Sequence, residues 1–508
     1  MSLPLLFKGM RLSAMTKPSL FDDLDPDSDR VLVLIQLNGG NDGLNTLIPL
    51  DQYDNLAVLR NNLVLPESSI IKINDNLGFH PNMAGFKGLY DDGKLGMVQN
   101  VGYPNQNRSH FRSMDIWQTA SAAEETITTG WLGRYFQQDH PGFPDNYPNE
   151  EYPDPFAITM GNVVSETCQG TGANFSLTLT DPFSLSPLAE SSGSGTPDTP
   201  YGRELGFIRT TIAQSNLYAE NITEAAEKGA NMVEYPDGGQ NPLAEQLKNI
   251  ALLISGGMKT KVYIASLGGF DTHANQVVDG NTLVGDHASL LFYLSEAVAA
   301  FQADLQAQGL EERVIGLTFS EFGRQIRSNF SLGTDHGTAA PLFVFGSCAN
   351  TSILGSNPDL SGNIEVQEGV AMEYDFRDIY GSVLQDWFGL EENNIKSLLH
   401  NAYQHIPIIK DCNLATSTDD LLEEAFELKA FPNPFRSATT ISFSSNGVHV
   451  RLSIFNAIGS ELKVLVDKTL PRGEHQVNWN SRQLPAGNYY YRLQEGVTQK
   501  TKRLIKIR

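Results

Sequence analysis

Residues 261–273 read KVYIASLGGFDTH, an apolar run that breaks off into two glycines and then presents an aspartate and a histidine. The run is short and rich in β-branched and aromatic residues, which favours a buried strand. The glycines let the backbone turn sharply and approach a ligand closely. Asp271 and His273 are therefore predicted to lie in a functional loop, provided that other segments supply partners.

Other apolar runs alternate with helical patterns before residue 411. The strand-like runs are VLVLIQL (31–37), KLGMVQNV (94–101), RVIGLTF (313–319) and PLFVFG (341–346). The clearest helical pattern covers residues 287–308, where apolar residues recur at spacings of three and four. Strands that alternate with helices predict an α/β fold whose mostly parallel sheet is covered on both faces. Ligands bind such sheets at the carboxyl ends of the strands.

Most of these strands lead into a polar, glycine-bearing turn, and one more such turn precedes PLFVFG. The turns carry Asp42, then Ser109 and His110, then Asp271 and His273, then Glu321 and Arg324, and finally Asp335 and His336. A combination of carboxylates and imidazoles suits Zn²⁺, Mn²⁺ or Fe, whereas oxygen-only sites suit Mg²⁺ or Ca²⁺. In a parallel sheet these loops open on one edge, so the sequence predicts that they converge on a metal site.

Structural interpretations stay open for several of these residues. Asp42 follows two glycines and could serve only as a turn residue. Ser109 is a natural N-cap for a helix that begins at FRSMDIWQ, and His110 could belong to the same cap. His287 favours a helix-capping or surface role, and His80 a structural one.

Charge divides the chain into two parts. The chain has 36 Lys and Arg and 59 Asp and Glu residues. Residues 428–508 contain 13 of the basic and 4 of the acidic residues, so the segment before them contains 23 basic and 55 acidic residues. A shift from net −32 to net +9 predicts a domain boundary. The segments that follow the boundary alternate apolar and polar residues between turn signals, which predicts a small antiparallel β-sandwich over 428–508.

Composition excludes several classes of protein. The net charge of −23 argues against a nucleic-acid partner, because a phosphate backbone requires a basic surface. No apolar run approaches 18 residues, so no transmembrane segment is predicted. The three cysteines lack metal-binding spacing, and a single disulfide is compatible with them. Residues 1–27 form an arm, either the remnant of an export signal or an irregular segment. Residues 411–427 are predicted to form an acidic linker or a short helix.

Seven motifs appear in order across residues 28–410. They are NGGNDGLNTLIP, NRSHF, GWLGR, ASLGGFDTHANQ, TFSEFGR, GTDHGTA and DFRDIY. Together they resemble the bacterial domain of unknown function 1501, which is similar to the alkaline phosphatase/sulfatase superfamily. The resemblance implies a three-layer α/β/α domain with two metal ions at the strand ends.

The resemblance also implies roles for individual residues. The metal ligands would be Asp42, Asp271, His273, Glu321, Asp335 and His336, and the catalytic residues Ser109, His110 and Arg324. Ser109 would attack phosphorus or sulfur, and Arg324 or Arg108 would hold an anionic oxygen. The chain departs from the superfamily at Ser320-Glu321, where an Asp-His pair is usual, and in the spacing of Asp271 and His273. It also lacks the C-x-P-x-R or S-x-P-x-R stretch of common sulfatases.

The end of the chain resembles a second family. AFPNPF (430–435), LPAGNYYYRL (484–493) and the basic end KRLIKIR (502–508) are similar to the carboxy-terminal sorting domain of the type IX secretion system. This resemblance implies that the secretion machinery handles residues 428–508 and that the protein is exported to the cell surface or beyond.

The sequence thus predicts an exported hydrolase of phosphate or sulfate esters that depends on one or two divalent ions, Zn²⁺, Mn²⁺ or Mg²⁺. Its substrate would be a small anionic ester or a surface polysaccharide. The alternative is a catalytically inactive surface binding or scaffold protein on the same fold.

Overall fold

A computed structural model describes residues 6–7, 10–11, 29–185, 199–410 and 428–506, the last range with gaps at 434, 446–448, 457–460, 472, 482–483, 486 and 496–497. The chain divides into two compact units, residues 1–412 and 413–508. The predicted arm and linker lie outside the described residues, apart from two short strands near the amino terminus.

The helices are α1 (Gly43–Thr46), α2 (Tyr53–Leu59), α3 (Ala84–Asp91), α4 (His110–Thr119), α5 (Trp131–Asp139), α6 (Pro200–Lys228), α7 (Pro242–Ser255), α8 (Asp286–Ala307), α9 (Phe376–Asp386) and α10 (Glu392–Leu398). The strands of the first unit are β1 (Leu6–Phe7), β2 (Met10–Arg11), β3 (Val31–Asn38), β4 (Leu47–Pro49), β5 (Ile71–Lys72), β6 (Leu77–Phe79), β7 (Leu95–Gly102), β8 (Ala157–Met160), β9 (Ser176–Leu179), β10 (Val262–Gly268), β11 (Val314–Phe319), β12 (Ala340–Phe345), β13 (Ile353–Leu354) and β14 (Tyr374–Asp375). Those of the second unit are β15 (Leu428–Phe431), β16 (Ala438–Ser445), β17 (His449–Asn456), β18 (Glu461–Thr469), β19 (Gly473–Asn480), β20 (Gly487–Glu495) and β21 (Thr498–Lys506).

A nine-stranded sheet forms the centre of the first unit, in the order β13-β7-β12-β11-β3-β10-β8-β9, with β14 also paired to β7. Strand β3 lies between β10 and β11 and is parallel to both. It is almost wholly buried, as expected for a central strand of a parallel sheet. This arrangement confirms the predicted α/β fold with a mostly parallel sheet.

Strand β12 runs against the direction of its neighbours β7 and β11. Because of this reversal, the loop before β12 lies at the same edge as the loops that follow β3, β7, β10 and β11. A parallel β12 would have put that loop, with Asp335 and His336, at the opposite edge.

Two apolar layers cover the sheet. Along β3, Val31, Val33, Ile35 and Leu37 face a core built with residues of α3, α6, α7 and α8. Leu32 and Leu34 point the other way, into a core built with residues of α4, α5, α9 and α10. The alternation follows from the period of two along a strand, and it produces the three-layer α/β/α architecture.

The second unit is a small β-sandwich, as predicted. Strands β15, β16 and β19 form one antiparallel sheet, and β17, β18, β20 and β21 form another. Apolar side chains of both sheets share one core, in which Trp479 packs against Phe435 and Tyr489.

Two further sequence features have structural counterparts. No helix among the described residues is long and apolar enough to cross a lipid bilayer. Cys348 is disulfide-bonded, whereas Cys168 is a buried free thiol.

Candidate metal centre

The predicted polar loops meet at the carboxyl edge of the large sheet. The loop after β3 approaches the loop after β10 so closely that a Cβ atom on Gly39 would lie 2.2 Å from the backbone nitrogen of Asp271. Gly39 also has a φ of +121°, which favours glycine. The glycine that follows β3 therefore permits the close approach of two loops that build the site.

Three imidazoles converge on one carboxylate oxygen at this edge. The Oδ1 atom of Asp271 lies 3.4 Å from Nε2 of His110, 3.1 Å from Nε2 of His273 and 3.2 Å from Nε2 of His336. The Nε2 atoms of His273 and His336 are 2.9 Å apart. These four residues, called the histidine cluster below, come from three separate loops.

Each imidazole of the cluster is held through its other ring nitrogen. Nδ1 of His110 lies 2.8 Å from Oε1 of Glu321, and Nδ1 of His273 lies 2.7 Å from Oδ1 of Asp335. Nδ1 of His336 lies 2.8 Å from the carbonyl oxygen of Arg108. All three partners can accept a hydrogen bond, so a proton on each Nδ1 would leave the three Nε2 lone pairs free for a metal ion at the centre.

The charge state of the cluster also suits metal binding. Burial raises the pKa of Asp271, but the hydrogen bond and the positive charge of Arg324 outweigh it, so the pKa falls below its usual value. Burial lowers the pKa of His336 and so favours its neutral form. An ionised Asp271 and a neutral His336 are in the states in which carboxylates and imidazoles bind metal.

The residues present fit a divalent ion. Ligand atoms about 2.0–2.1 Å from a tetrahedral ion lie roughly 3.3 Å from one another, close to the separations between Asp271 Oδ1 and the three Nε2 atoms. Nε2 of His110 is buried with no hydrogen-bond partner, although it faces the cluster. The potential ligand atoms that all lie within 4.8 Å of one another belong to His110, Asp271 and His336, and His273 joins the cluster through its contacts with Asp271 and His336.

The cluster is open to solvent on one side. The side chain of Asp271 retains 48% of its exposure and that of His273 retains 43%. Structural metal sites are closed by protein ligands, whereas catalytic sites keep a position accessible to water or substrate. The exposure favours the second type.

Glu321 and Asp335, predicted as metal ligands, each contact Nδ1 of one histidine of the cluster. The carboxylate of Glu321 is buried and also accepts a hydrogen bond from the backbone nitrogen of Gly39, at 2.8 Å. Asp335 accepts a second hydrogen bond from Nδ2 of Asn329, at 3.2 Å. Both carboxylates orient a histidine, a common arrangement around protein-bound metals.

Asp42, also predicted as a ligand, lies outside the cluster. Its two carboxylate oxygens are 2.8 and 2.7 Å from NH1 of Arg60, and both side chains are buried. Burial raises the pKa of Asp42, but the charges of Arg60 and His287 and hydrogen bonds from Arg60 and Gln276 outweigh it and lower the pKa overall. The Arg60 guanidinium thus supplies a positive charge directly beside this carboxylate.

Arg324 serves as a clamp between loops. Its side chain is fully buried and donates to the carbonyl oxygens of Gly39, Gly40, Phe270 and Thr334 and, at 2.7 Å, to Oδ1 of Asp271. The predicted role of Arg324, holding an anionic oxygen of a substrate, therefore has to compete with five existing contacts. Its observed contacts fix three loops and orient one carboxylate.

The remaining predicted residues occupy distinct positions. Ser109 is the N-cap residue of α4, is exposed, and makes no side-chain capping bond. His287 is buried at the start of α8, where Nε2 lies 3.0 Å from Oδ1 of Asn41, so it is not a surface residue. His80 is buried, with Nδ1 3.1 Å from the backbone nitrogen of Asn82, which fits the structural role predicted for it.

The sequence did not identify Arg60 as the partner of Asp42. It ends helix α2, and its guanidinium also donates to the carbonyl oxygens of Gln325 and Ile326, both at 2.6 Å. A buried carboxylate requires a cation or several donors, so a buried Asp42 would have implied such a partner. Nothing in the local sequence distinguishes Arg60 from a surface arginine.

Two family models match separate parts of the chain. Residues 239–399 match the family described as a protein of unknown function (DUF1501). Residues 429–507 match the secretion system C-terminal sorting domain. Both resemblances predicted from the motifs are thereby confirmed, and the type IX sorting domain marks the chain for export to the cell surface. No curated protein matches the chain.

Several solved structures are similar to parts of the chain. A protein in the alkaline phosphatase superfamily from Vibrio parahaemolyticus has 9% identity and a TM-score of 0.31, covering 87% of this chain and 82% of that one. A candidate sulfatase from Bacteroides fragilis has 8% identity and a TM-score of 0.31, covering 86% and 89%.

PorZ, a surface component of the type IX secretion system of Porphyromonas gingivalis, has 18% identity and a TM-score of 0.14. The match covers 18% of this chain and 13% of PorZ, so the chain spans about an eighth of its length.

Proposed function

We propose that this protein is an exported hydrolase that binds one divalent metal ion in the histidine cluster and cleaves phosphate or sulfate esters. The observation that carries the proposal is the convergence of three Nε2 atoms on Oδ1 of Asp271. Each histidine has an outer acceptor that turns its lone pair inward. The open face of the cluster leaves room for a substrate oxygen.

The ligand set narrows the choice of metal. Imidazole nitrogen suits Zn²⁺ and other transition metals, whereas Mg²⁺ prefers an octahedral set of oxygen ligands. A set of His110, His273, His336 and Asp271 therefore favours Zn²⁺ or Mn²⁺ over Mg²⁺. The buried pair of Asp42 with Arg60 supports one ion rather than two.

The chain supplies further groups at the open face. A bound divalent ion polarises an ester oxygen and stabilises the negative charge that develops on it. Ser109 is the candidate nucleophile, because its hydroxyl is exposed beside His110 and does not cap α4. Arg108 remains the candidate for holding an anionic oxygen. Its carbonyl contacts His336, and its NH1 atom makes a 2.7 Å bond to the carbonyl of Gln367.

Export is compatible with the covalent structure. The disulfide at Cys348 is the kind of bond that persists in the periplasm and outside the cell, where thiols become oxidised. Handling by the type IX machinery follows from the sorting domain at residues 429–507.

Metal content of the full-length protein tests the first half of the proposal. After reconstitution with Zn²⁺ or Mn²⁺, elemental mass spectrometry should find close to one ion per chain. Asp271→Ala should lower that content at least tenfold, whereas Asp359→Ala, which removes an exposed carboxylate from a surface turn, should leave it unchanged. Retention of the ion by Asp271→Ala would exclude the histidine cluster as its site.

An activity assay tests the second part of the proposal, the cleavage of phosphate or sulfate esters. The metal-loaded protein is assayed with 4-nitrophenyl phosphate and 4-nitrophenyl sulfate, beside Asp271→Ala and Ser109→Ala. We expect hydrolysis of at least one ester, lost in both variants, with metal content retained in Ser109→Ala. Full activity in Ser109→Ala would assign the attack to water instead of the serine.

The engagement of Arg324 by protein groups favours a second function. A hydrolase that handles anionic esters benefits from an unengaged cation at the site, but Arg324 already has five partners. A surface binding or scaffold protein with a retained metal site accounts for this arrangement. Stoichiometric metal without hydrolysis of either ester would select this alternative.

A further inference from the structure

Gln276 is a fully buried polar residue in the loop between β10 and α8, the loop that also carries Asp271 and His273. A buried amide costs free energy unless its donor and acceptor groups are paired. The side chain of Gln276 meets this requirement through contacts at both ends of the amide. These contacts connect separate segments around the histidine cluster.

The nitrogen end of this amide faces Asp42. Nε2 of Gln276 donates to Oδ2 of Asp42 at 2.5 Å. The carboxylate of Asp42 is paired with the buried guanidinium of Arg60, and an ionised carboxylate only accepts hydrogen bonds. The contact with Asp42 therefore requires a donor, which fixes the orientation of the amide and directs its oxygen to the opposite side.

The oxygen end of the amide joins two loops. Oε1 of Gln276 accepts from Oγ1 of Thr334 at 2.8 Å and from Oγ1 of Thr272 at 3.3 Å. Thr272 directly precedes His273, and Thr334 directly precedes Asp335, whose carboxylate contacts Nδ1 of His273. Both threonines are buried, at 3% and 0% relative exposure. One amide oxygen thus links a histidine of the cluster to the segment that orients it.

The same two loops are in direct backbone contact. The backbone nitrogen of Thr334 donates to the carbonyl oxygen of Thr272 at 3.1 Å. A Cβ atom on Gly333 would lie 2.4 Å from the carbonyl oxygens of Thr272 and His273. A displacement of either threonine would therefore move the backbone of His273, and metal affinity is sensitive to the groups that orient the ligands.

We propose that Gln276 is a positioning residue that sets the metal affinity of the histidine cluster. It holds the loops of His273 and Asp335 together through Thr272 and Thr334, and it does not contact the ion itself. The inference rests on the metal site of the proposed function but does not require ester cleavage. If Gln276 only stabilised the fold, its replacement would lower the free energy of unfolding and leave metal affinity unchanged.

Metal affinity of the full-length protein tests this role. Gln276→Met retains the length of the side chain and removes both its donor and its acceptor. Competition with a chromophoric chelator should show Zn²⁺ affinity about 10–100-fold weaker than in the wild-type protein. Gln302→Met is the matched control, because Gln302 is also buried and its amide atoms have no hydrogen-bond partner among the described residues. Its Zn²⁺ affinity should equal that of the wild-type protein.

An exchange of amide and carboxylate tests the hydrogen bond itself. Gln276→Glu keeps an acceptor for the two threonines but places a second carboxylate against Asp42, so metal affinity should fall. Combination with Asp42→Asn restores an N–H donor between the two side chains and leaves one carboxylate near Arg60. Affinity should then return close to the wild-type value, and failure of this recovery in a folded double variant would overturn the proposed role.

Hydrogen exchange measures the connection between the loops in the metal-free protein. Mass spectrometry should find several-fold faster exchange in Gln276→Met for peptides that cover residues 269–276 and 329–336, and unchanged exchange in strand β3. Slow exchange in these peptides, or wild-type Zn²⁺ affinity in Gln276→Met, would overturn the inference.

The outcomes separate this inference from the proposed function. Weaker Zn²⁺ binding in Gln276→Met, without ester cleavage by the wild-type protein, would overturn the hydrolase and leave the positioning role intact. Ester cleavage with equal Zn²⁺ affinity in wild-type protein and Gln276→Met would do the reverse. Absence of metal uptake by the wild-type protein would overturn the proposed function and the effect on affinity, and hydrogen exchange would then decide the connection between the loops by itself.

Discussion

Replacement of Asp42 by asparagine distinguishes two roles for the residue that the sequence assigned to a metal. The substitution Asp42→Asn would retain the shape of the side chain but would remove the charge that neutralises Arg60. NH1 of Arg60 lies 2.8 and 2.7 Å from the two oxygens of Asp42, and the side chains are 0% and 1% exposed. A guanidinium left in this interior has no solvent to stabilise it.

The expected cost follows from that burial. Removal of one partner from a buried ion pair destabilises a protein by about 3–5 kcal/mol, because the other charge stays buried without compensation. Asp42→Asn should therefore lower the free energy of unfolding of the metal-free, full-length protein by about this amount. Metal affinity should change little, since Asp42 does not contact the histidine cluster.

Urea denaturation and metal titration measure the two quantities on the same protein. Asp42→Leu combined with Arg60→Leu serves as the control, because removal of both charges should cost less than removal of Asp42 alone. Loss of one metal equivalent in Asp42→Asn with unchanged stability would refute the reasoning. Asp42 would then be a ligand, as the sequence predicted.

Three further predictions concern other parts of the chain. Glu321→Ala should weaken metal binding about 10–100-fold, because it releases His110. Glu321→Gln keeps an acceptor oxygen for His110 and should retain most of the affinity. Equal losses of affinity in the two variants, measured by metal titration, would contradict this role of Glu321. Burial lowers the pKa of His287 to about 4 and that of His80 to about 3, from 6.5 in the unfolded chain. Between pH 6.5 and these lower pKa values, the unfolded state therefore binds more protons than the folded state. The free energy of unfolding of the metal-free protein should thus fall as the pH drops from 6.5 to 4, by about 3 kcal/mol for His287 alone. An unchanged midpoint of urea denaturation over that pH interval would contradict the expectation. Trp479→Ala removes a buried indole from the sandwich and should destabilise that unit by about 3–5 kcal/mol in calorimetry, without loss of metal content.

Much of the fold could be predicted because its signals are local. Apolar runs of six to eight residues between polar turns predicted strands β3, β7, β10, β11 and β12 to within one residue at either end. The charge shift and the alternating pattern after residue 428 predicted the sandwich. These features depend on burial periodicity and turn chemistry, which neighbouring residues determine.

Which residues form the candidate site was harder to predict from the sequence. The sequence identified the loops that carry Asp271, His273, His110 and His336, because carboxylates and imidazoles followed predicted strands. It did not separate residues that face the centre from those that support them, as Glu321 shows. That distinction depends on distances of about 3 Å between segments far apart in the chain.

The sequence by itself determined which chemical groups this protein can bring to the edge of a sheet, and that an export domain follows them. Tertiary structure alone decided how those groups are used. The reversed direction of β12 brings His336 to the edge where the other residues of the histidine cluster lie. The buried guanidinium of Arg60 occupies both oxygens of Asp42. Both outcomes arise from strand pairing and from the need to neutralise a buried charge, and these are properties of the assembled fold.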